Sequence, residues 1–134
     1  VLFAGSDLFK EAVLTAIAVA PPGASALDAA AAGFEAAAGF IQNQPDPDFP
    51  RRRAAVIAAN PSLQERELLK LSTVGSAAAR ALQDRGVDPV EASIAAQAAL
   101  AAFHLAFERW VSSDEPLDLP ALVRDGIARI RALR

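Results

Sequence analysis

Apolar positions along the chain recur at helical spacing, and alternating β-branched or aromatic runs are lacking, so the pattern predicts an all-α protein. The stretch from Asp88 to Asp114 reads as one long helix, with Asp88 as N-cap, Pro89 in the first turn and Glu91 placed to reach back to the cap. Ala92, Ala96, Ala99, Leu100, Phe103, Ala106, Phe107 and Trp110 fall on one face, an ordinary core stripe. The opposite face carries Ile94, Ala98, Ala101, Ala102 and Leu105 instead of polar residues. A helix apolar nearly all round must be covered all round, which a short chain cannot easily do alone. The pattern therefore predicts a second subunit over this outer face.

Five more helices follow from the same reading. The first runs from about Leu8 to Ala20, capped by Ser6 or Asp7, and stops at Pro21-Pro22-Gly23. A second starts at Ser25 with Asp28 completing a short capping box, and its stripe is Leu27, Ala30, Ala31, Phe34, Ala37, Ala38 and Ile41. Gly33 and Gly39 interrupt its alanines and predict tight packing or a bend. The loop NQPDPDFP leads into a short third helix, RRRAAVIAAN, with Pro50 in its first turn. Asn60-Pro61 ends that helix, and Asn60 or Ser62 caps a fourth from Leu63 to about Arg85, stopped by Gly86. Its inward face is Gln64, Leu68, Leu71, Gly75, Ala78, Ala79 and Leu82. Asp118 caps a sixth, LPALVRDGIARIRALR, with Leu119, Leu122, Val123, Ile127, Ile130 and Leu133 in one stripe.

A length of 134 residues fits a single domain spanning residues 1–134. The net charge of −3 and pI near 5.1 give no footprint for nucleic acid, so direct DNA contact by these residues is not expected. Unbroken apolar runs of the roughly 18 to 20 residues needed to span a membrane are not found, and the expectation is a protein without a membrane partner. With no cysteine, disulfides are excluded and a cytoplasmic location is the default. The chain contains no methionine and opens on Val1, which predicts that an N-terminal part of the natural protein is missing from it.

Candidate chemistry is sparse. His104, the only histidine, has no ligating partner one turn away; Glu108 there can hydrogen-bond it, and a polar contact at a pocket edge or interface is the favoured role. Arg51-Arg52-Arg53 opposes its helix dipole. Either it is a solvated turn neutralised by Asp46 and Asp48, or it meets an acidic ligand group or the missing N-terminal part. Gly75, amid Ser72 to Ser76, leaves room on a buried face for a crossing helix or a guest. Together with inward Phe34, Phe103 and Phe107 it outlines a possible apolar cavity, whose expected lining is Phe34, Ile57, Leu71, Gly75, Phe103 and Phe107. Phosphate-binding glycine loops, HExxH, nucleophile elbows and serine-histidine-carboxylate sets do not occur, so no catalytic residue, metal or cofactor is assigned.

The succession RRRAAVIAANPSLQERELLKL, then RGVDPVEA, then AALAAFHLAFERWVSSD and a final helix resembles the C-terminal regulatory domain of TetR-family transcriptional repressors, in particular the mycofactocin-type regulators. Arg51 to Leu71 and Asp88 to Trp110 carry it most specifically, and the opening VLFAGSD is similar to the segment after the family's recognition helix. The resemblance implies a six-helix domain and a homodimer in which the last two helices of each subunit form a four-helix bundle. Its interface would use Ile94, Ala98, Ala101 and Leu105 with Leu122 and Ile130. The earlier helices would enclose a small hydrophobic or acyl-thioester-like effector, and DNA would be bound only through an absent helix-turn-helix domain. The third and fourth helices are the expected movers, jointed at Asn60-Pro61.

The competing reading is a structural or interaction module, a helical dimer with a filled core and no effector. Contact between Phe34 and Phe103 in a closed interior would favour the module, and an open cavity would favour the sensor.

Overall fold

The side chains foreseen as caps organise the helix starts. In the computed structural model, which describes residues 6–46 and 48–134, six helices and no strand appear: α1 (Ser6–Val19), α2 (Ala26–Gln42), α3 (Phe49–Ala58), α4 (Pro61–Asp84), α5 (Pro89–Ser112) and α6 (Leu119–Ala132). Ser25 Oγ accepts from the Asp28 amide at 3.0 Å, and Asn60 Oδ1 accepts from Ser62 and Leu63 at 3.0 and 3.3 Å. Asp88 Oδ2 accepts from Val90 and Glu91 at 3.1 Å each, and Asp118 Oδ2 from Ala121 at 3.0 Å. Each satisfies amides that a helix start leaves without a partner. Gly86, at φ 95°, takes the left-handed turn after α4 that a side chain would strain.

Three starts differ from the sequence expectation, α3 among them, since it begins at Phe49 in the segment expected to be loop. Both α1 and α4 begin two residues early, so Ser6 and Asp7 lie within the first turn of α1, and Asn60 rather than Ser62 caps α4. The opening residues 1–5, including most of VLFAGSD, and Pro47 in the proline-aspartate loop lie outside the described residues.

The alanine-rich α2 is packed by α1, α5 and α6, and α5 in turn by α2, α4 and α6. Small side chains permit this close approach. A Cβ added at Gly33 would stand 2.9 Å from both the Val13 carbonyl oxygen and Ile17 Cγ1, so α1 rests directly on the α2 backbone there. Gly39 has nothing within 4 Å of an added Cβ and plays no such part. Phe34, Ile17, Leu82, Leu119, Val13 and Val123 form the fully buried centre.

A cation from a distant helix closes α1. Its last turn has no basic residue, yet the Arg85 guanidinium, just past α4, donates to the carbonyls of Ile17 at 3.1 Å, Ala20 at 2.8 Å and Pro21 at 2.7 Å.

The predicted inward face of α4 holds only in its second half. Burial starts at Val74, and Leu68 remains 62% exposed, because the first half of α4 pairs with α3 instead of entering the core. Pro50 and Ile57 are the buried residues of α3. Consequently α3 and the first half of α4 stand off from α5, and that separation positions the site.

By length and composition α5 could cross a membrane, contrary to the expectation from unbroken apolar runs, which Gln97 and His104 interrupt without making the helix polar. Here its inner face is a core face, with Ala92, Ala96, Ala99 and Phe103 buried.

Candidate functional site

A cavity of about 720 Å³ lies where α3 and the first half of α4 face the middle of α5. Its size suits a drug-sized molecule or a lipid tail, since ligand pockets span about 300–1,000 Å³. Phe9 of α1, Phe40 of α2, Phe49 of α3 and Phe103 and Phe107 of α5 line it, five of the seven phenylalanines in the chain. Leu68, Leu71 and Val74 of α4, Ile57 of α3 and Val111 of α5 complete the apolar wall.

Phe103 is the hub of that wall. Its ring meets Phe9 edge-on with centroids 5.2 Å apart, stacks on Phe107 at 6.0 Å and leans on Phe34 at 6.0 Å. Phe107 continues to Trp110 at 6.1 Å, whose indole N–H donates to the Leu117 carbonyl at 3.0 Å. The aromatic row thus runs to the C-terminal end of α5, fixed there by the loop into α6.

Of the residues expected to line a cavity, Ile57, Leu71, Phe103 and Phe107 do so. Phe34 does not, because it is fully buried behind Phe103 on the core side. Gly75 does not either: a Cβ there would meet Gln97 Nε2 and Leu100 Cδ2 at 3.2 Å, so its missing side chain admits α5. Phe9, Phe40 and Phe49 were missed. Phe9 shares a face of the first helix with the buried Val13 and Ile17, whereas Phe40 sits beside the second helix's stripe and Phe49 in a segment read as loop. The contact of Phe34 with Phe103 and the open cavity, posed as alternatives, occur together, because Phe103 both touches the fully buried Phe34 and lines the cavity.

The three arginines take three roles. Arg51 donates to the Ser113 carbonyl at 2.8 Å and the Trp110 carbonyl at 3.3 Å, with its guanidinium 5.9 Å from the Trp110 ring centroid, and so ties α3 to the C-terminal end of α5. Arg52 pairs with Asp46 in solvent, and its guanidinium holds the Asp46 carboxyl below the usual carboxylate range. Arg53 makes a two-point pair with Glu67, Nη1 to Oε1 at 3.1 Å and Nη2 to Oε2 at 2.8 Å, and both residues line the cavity. His104 also lines it and pairs with Glu108, Nε2 to Oε1 at 2.7 Å, the neighbour foreseen from spacing. Among the described residues no group of three or more His, Asp or Glu is placed to hold a metal ion.

A second, shallower groove runs between α5 and α6, on the far side of α5. Ala101, Leu105, Leu122 and Ile130 line it, with Arg109, Asp125 and Arg129 at its borders. Leu105 is 65% exposed and Ile94, three turns earlier on α5, 64%, while Ala98 between them is half-buried. Ala102, expected on this outer face, is instead buried, its Cβ close against Gly126 of α6.

Comparison with curated proteins gives no match. The family model described as the MftR C-terminal domain, a TetR-type C-terminal domain, matches residues 24–133, from the turn before α2 to the residue after α6. With that match spanning most of the chain and a six-helix fold to accompany it, the chain belongs to the MftR C-terminal domain family of TetR-type regulators.

Proposed function

We propose that residues 1–134 form the effector-sensing and dimerisation domain of a TetR-family transcriptional repressor, acting on DNA through a helix-turn-helix domain outside this chain. The observation that carries the reading is the phenylalanine-walled cavity between α3, the first half of α4 and α5. Its apolar wall suits a small hydrophobic or acyl-thioester-like ligand. Regulation is a population shift: the ligand favours one placement of α3 and the first half of α4 over another, by no more than its differential affinity. The shallow burial of α3 and the Asn60-Pro61 joint support these two segments as the movers.

The other side of α5 serves a second copy. Ile94, Ala98, Ala101 and Leu105 with Leu122 and Ile130 form the interface, and covering side chains of this size contributes about 1.5–3 kcal/mol for each large one. The second reading is a helical dimer module that binds nothing; the Phe34–Phe103 contact, which coexists with the open cavity, does not favour it over the sensor. Native mass spectrometry of the purified protein separates the two. The sensor reading predicts a two-chain species carrying a co-purified small apolar molecule or accepting an added one. A two-chain species that takes up no apolar molecule would support the module, and a bare single chain would contradict both.

A further inference from the structure

Resting on the reading of the cavity as an effector site, we propose that Arg53 recognises the head group of the ligand and that Glu67 is its built-in substitute. The cavity then takes a molecule with an apolar tail and a terminal carboxylate, which binds by replacing the Glu67 carboxylate on the Arg53 guanidinium. The two-point geometry, with both guanidinium nitrogens on both carboxylate oxygens at 3.1 and 2.8 Å, is the one in which arginine binds a free carboxylate. The Glu67 side chain therefore already displays the chemistry of the group it gives way to.

Position supports the exchange. Arg53 stands one turn before Ile57 on α3 and Glu67 one turn before Leu71 on α4, and all four line the cavity. A head group at Arg53 thus leaves its tail beside the apolar wall. The pair is partly withdrawn from water, with side chains 18% and 27% exposed, so the charge on Arg53 is screened less than that of the solvated Arg52–Asp46 pair. Glu67 keeps enough exposure to turn outward into water when displaced. Because the pair joins α3 to α4, exchange also releases one of the ties between the two segments that frame the cavity. A neutral hydroxyl cannot replace a carboxylate on the guanidinium in this way, so the head-group site distinguishes an acid from an alcohol of the same chain length.

The test is calorimetric titration of the wild-type chain and of Glu67→Gln, Arg53→Gln and Arg53→Lys with dodecanoate and with dodecanol, below their aggregation concentrations. Glu67→Gln is expected to tighten dodecanoate about tenfold, as removal of an internal competitor in a half-buried pair should. Arg53→Gln is expected to abolish the preference for acid over alcohol, and Arg53→Lys, which keeps the charge without the fork, to lower it severalfold. The readout is the ratio of acid to alcohol affinity in each variant, and circular dichroism with thermal unfolding shows that each variant is folded. Equal affinity for acid and alcohol in Glu67→Gln, or an acid preference that survives both Arg53 substitutions, would overturn the head-group assignment and leave the sensor reading standing. If neither compound binds wild type or Glu67→Gln, the sensor reading fails and the assignment with it.

Discussion

Replacing Arg51 by methionine should loosen α3 and little else. Arg51 supplies two hydrogen bonds from a charged donor, to the carbonyls of Trp110 in the last turn of α5 and of Ser113 just past it, plus a contact with the Trp110 ring. Charged hydrogen bonds contribute about 1.5–3 kcal/mol where buried and less at half-exposed positions, and a half-exposed cation over a buried ring such as Trp110 adds about 0.5–2 kcal/mol. A net loss of about 2 kcal/mol is expected, because methionine keeps the apolar stem and water can take over the freed carbonyls. Only Pro50 and Ile57 of α3 are buried, so the cost falls on the docking of α3 and not on the whole domain. At 1.4 kcal/mol per factor of ten, amide exchange within residues 49–58 should accelerate about 30-fold. Hydrogen exchange read by mass spectrometry measures this, with α2 and the first half of α5 as internal references expected to change less than threefold. An α3 that exchanges within threefold of wild type would refute the strap, and an equal rise in α2 would show that Arg51 supports global stability instead.

Gly33→Ala should destabilise the domain by about 1 kcal/mol in urea unfolding. The Cβ meets a backbone oxygen that cannot step aside, and overpacking of about 1–3 kcal/mol outweighs the gain of up to about 1 kcal/mol in helix propensity. Arg85→Met should cost about 2 kcal/mol by the same assay, since three carbonyls at the end of α1 lose their donor; a change below 0.5 kcal/mol would deny that role. Asp118 is held below its ordinary pKa, first by the hydrogen bond from Gln42 and then by the Ala121 amide and Arg124. A depressed folded-state pKa gives stability that is complete above the unfolded value of about 3.9 and is lost as pH falls through the folded value. The stability gap between wild type and Asp118→Ala should therefore be constant near pH 6–7 and shrink below pH 4; a gap unchanged at pH 3 would contradict it.

Helix existence and most boundaries were legible because local chemistry decides them. Asp88, Asn60, Asp118 and Ser25 cap where their spacing to following amides says they must. The exposed apolar positions Ile94 and Leu105 of α5 were legible from spacing, but Ala102, expected beside them, is buried against Gly126 of α6. The cavity was legible only in part. Phe103 and Phe107 follow from periodicity, but whether an inward residue meets another helix or a void depends on how helices diverge, which periodicity does not encode. The divergence of α4 at Val74 turned Leu71 into lining and left Gly75 against α5. Nor could spacing assign the arginines, because Arg51 finds its partners at Trp110 and Ser113, and Arg53 at Glu67, across tertiary contacts.

The account depends on α5 serving two sides, its own subunit's cavity and a twin subunit. Sedimentation equilibrium at micromolar concentration, with Leu105→Glu alongside wild type, tests this most directly. Wild type should weigh twice the 13.9 kDa of one chain, and the variant, with a carboxylate placed on the 65% exposed Leu105 position, should weigh one. A wild-type chain that sediments at 13.9 kDa, leaving Ile94 and Leu105 in water, would contradict it.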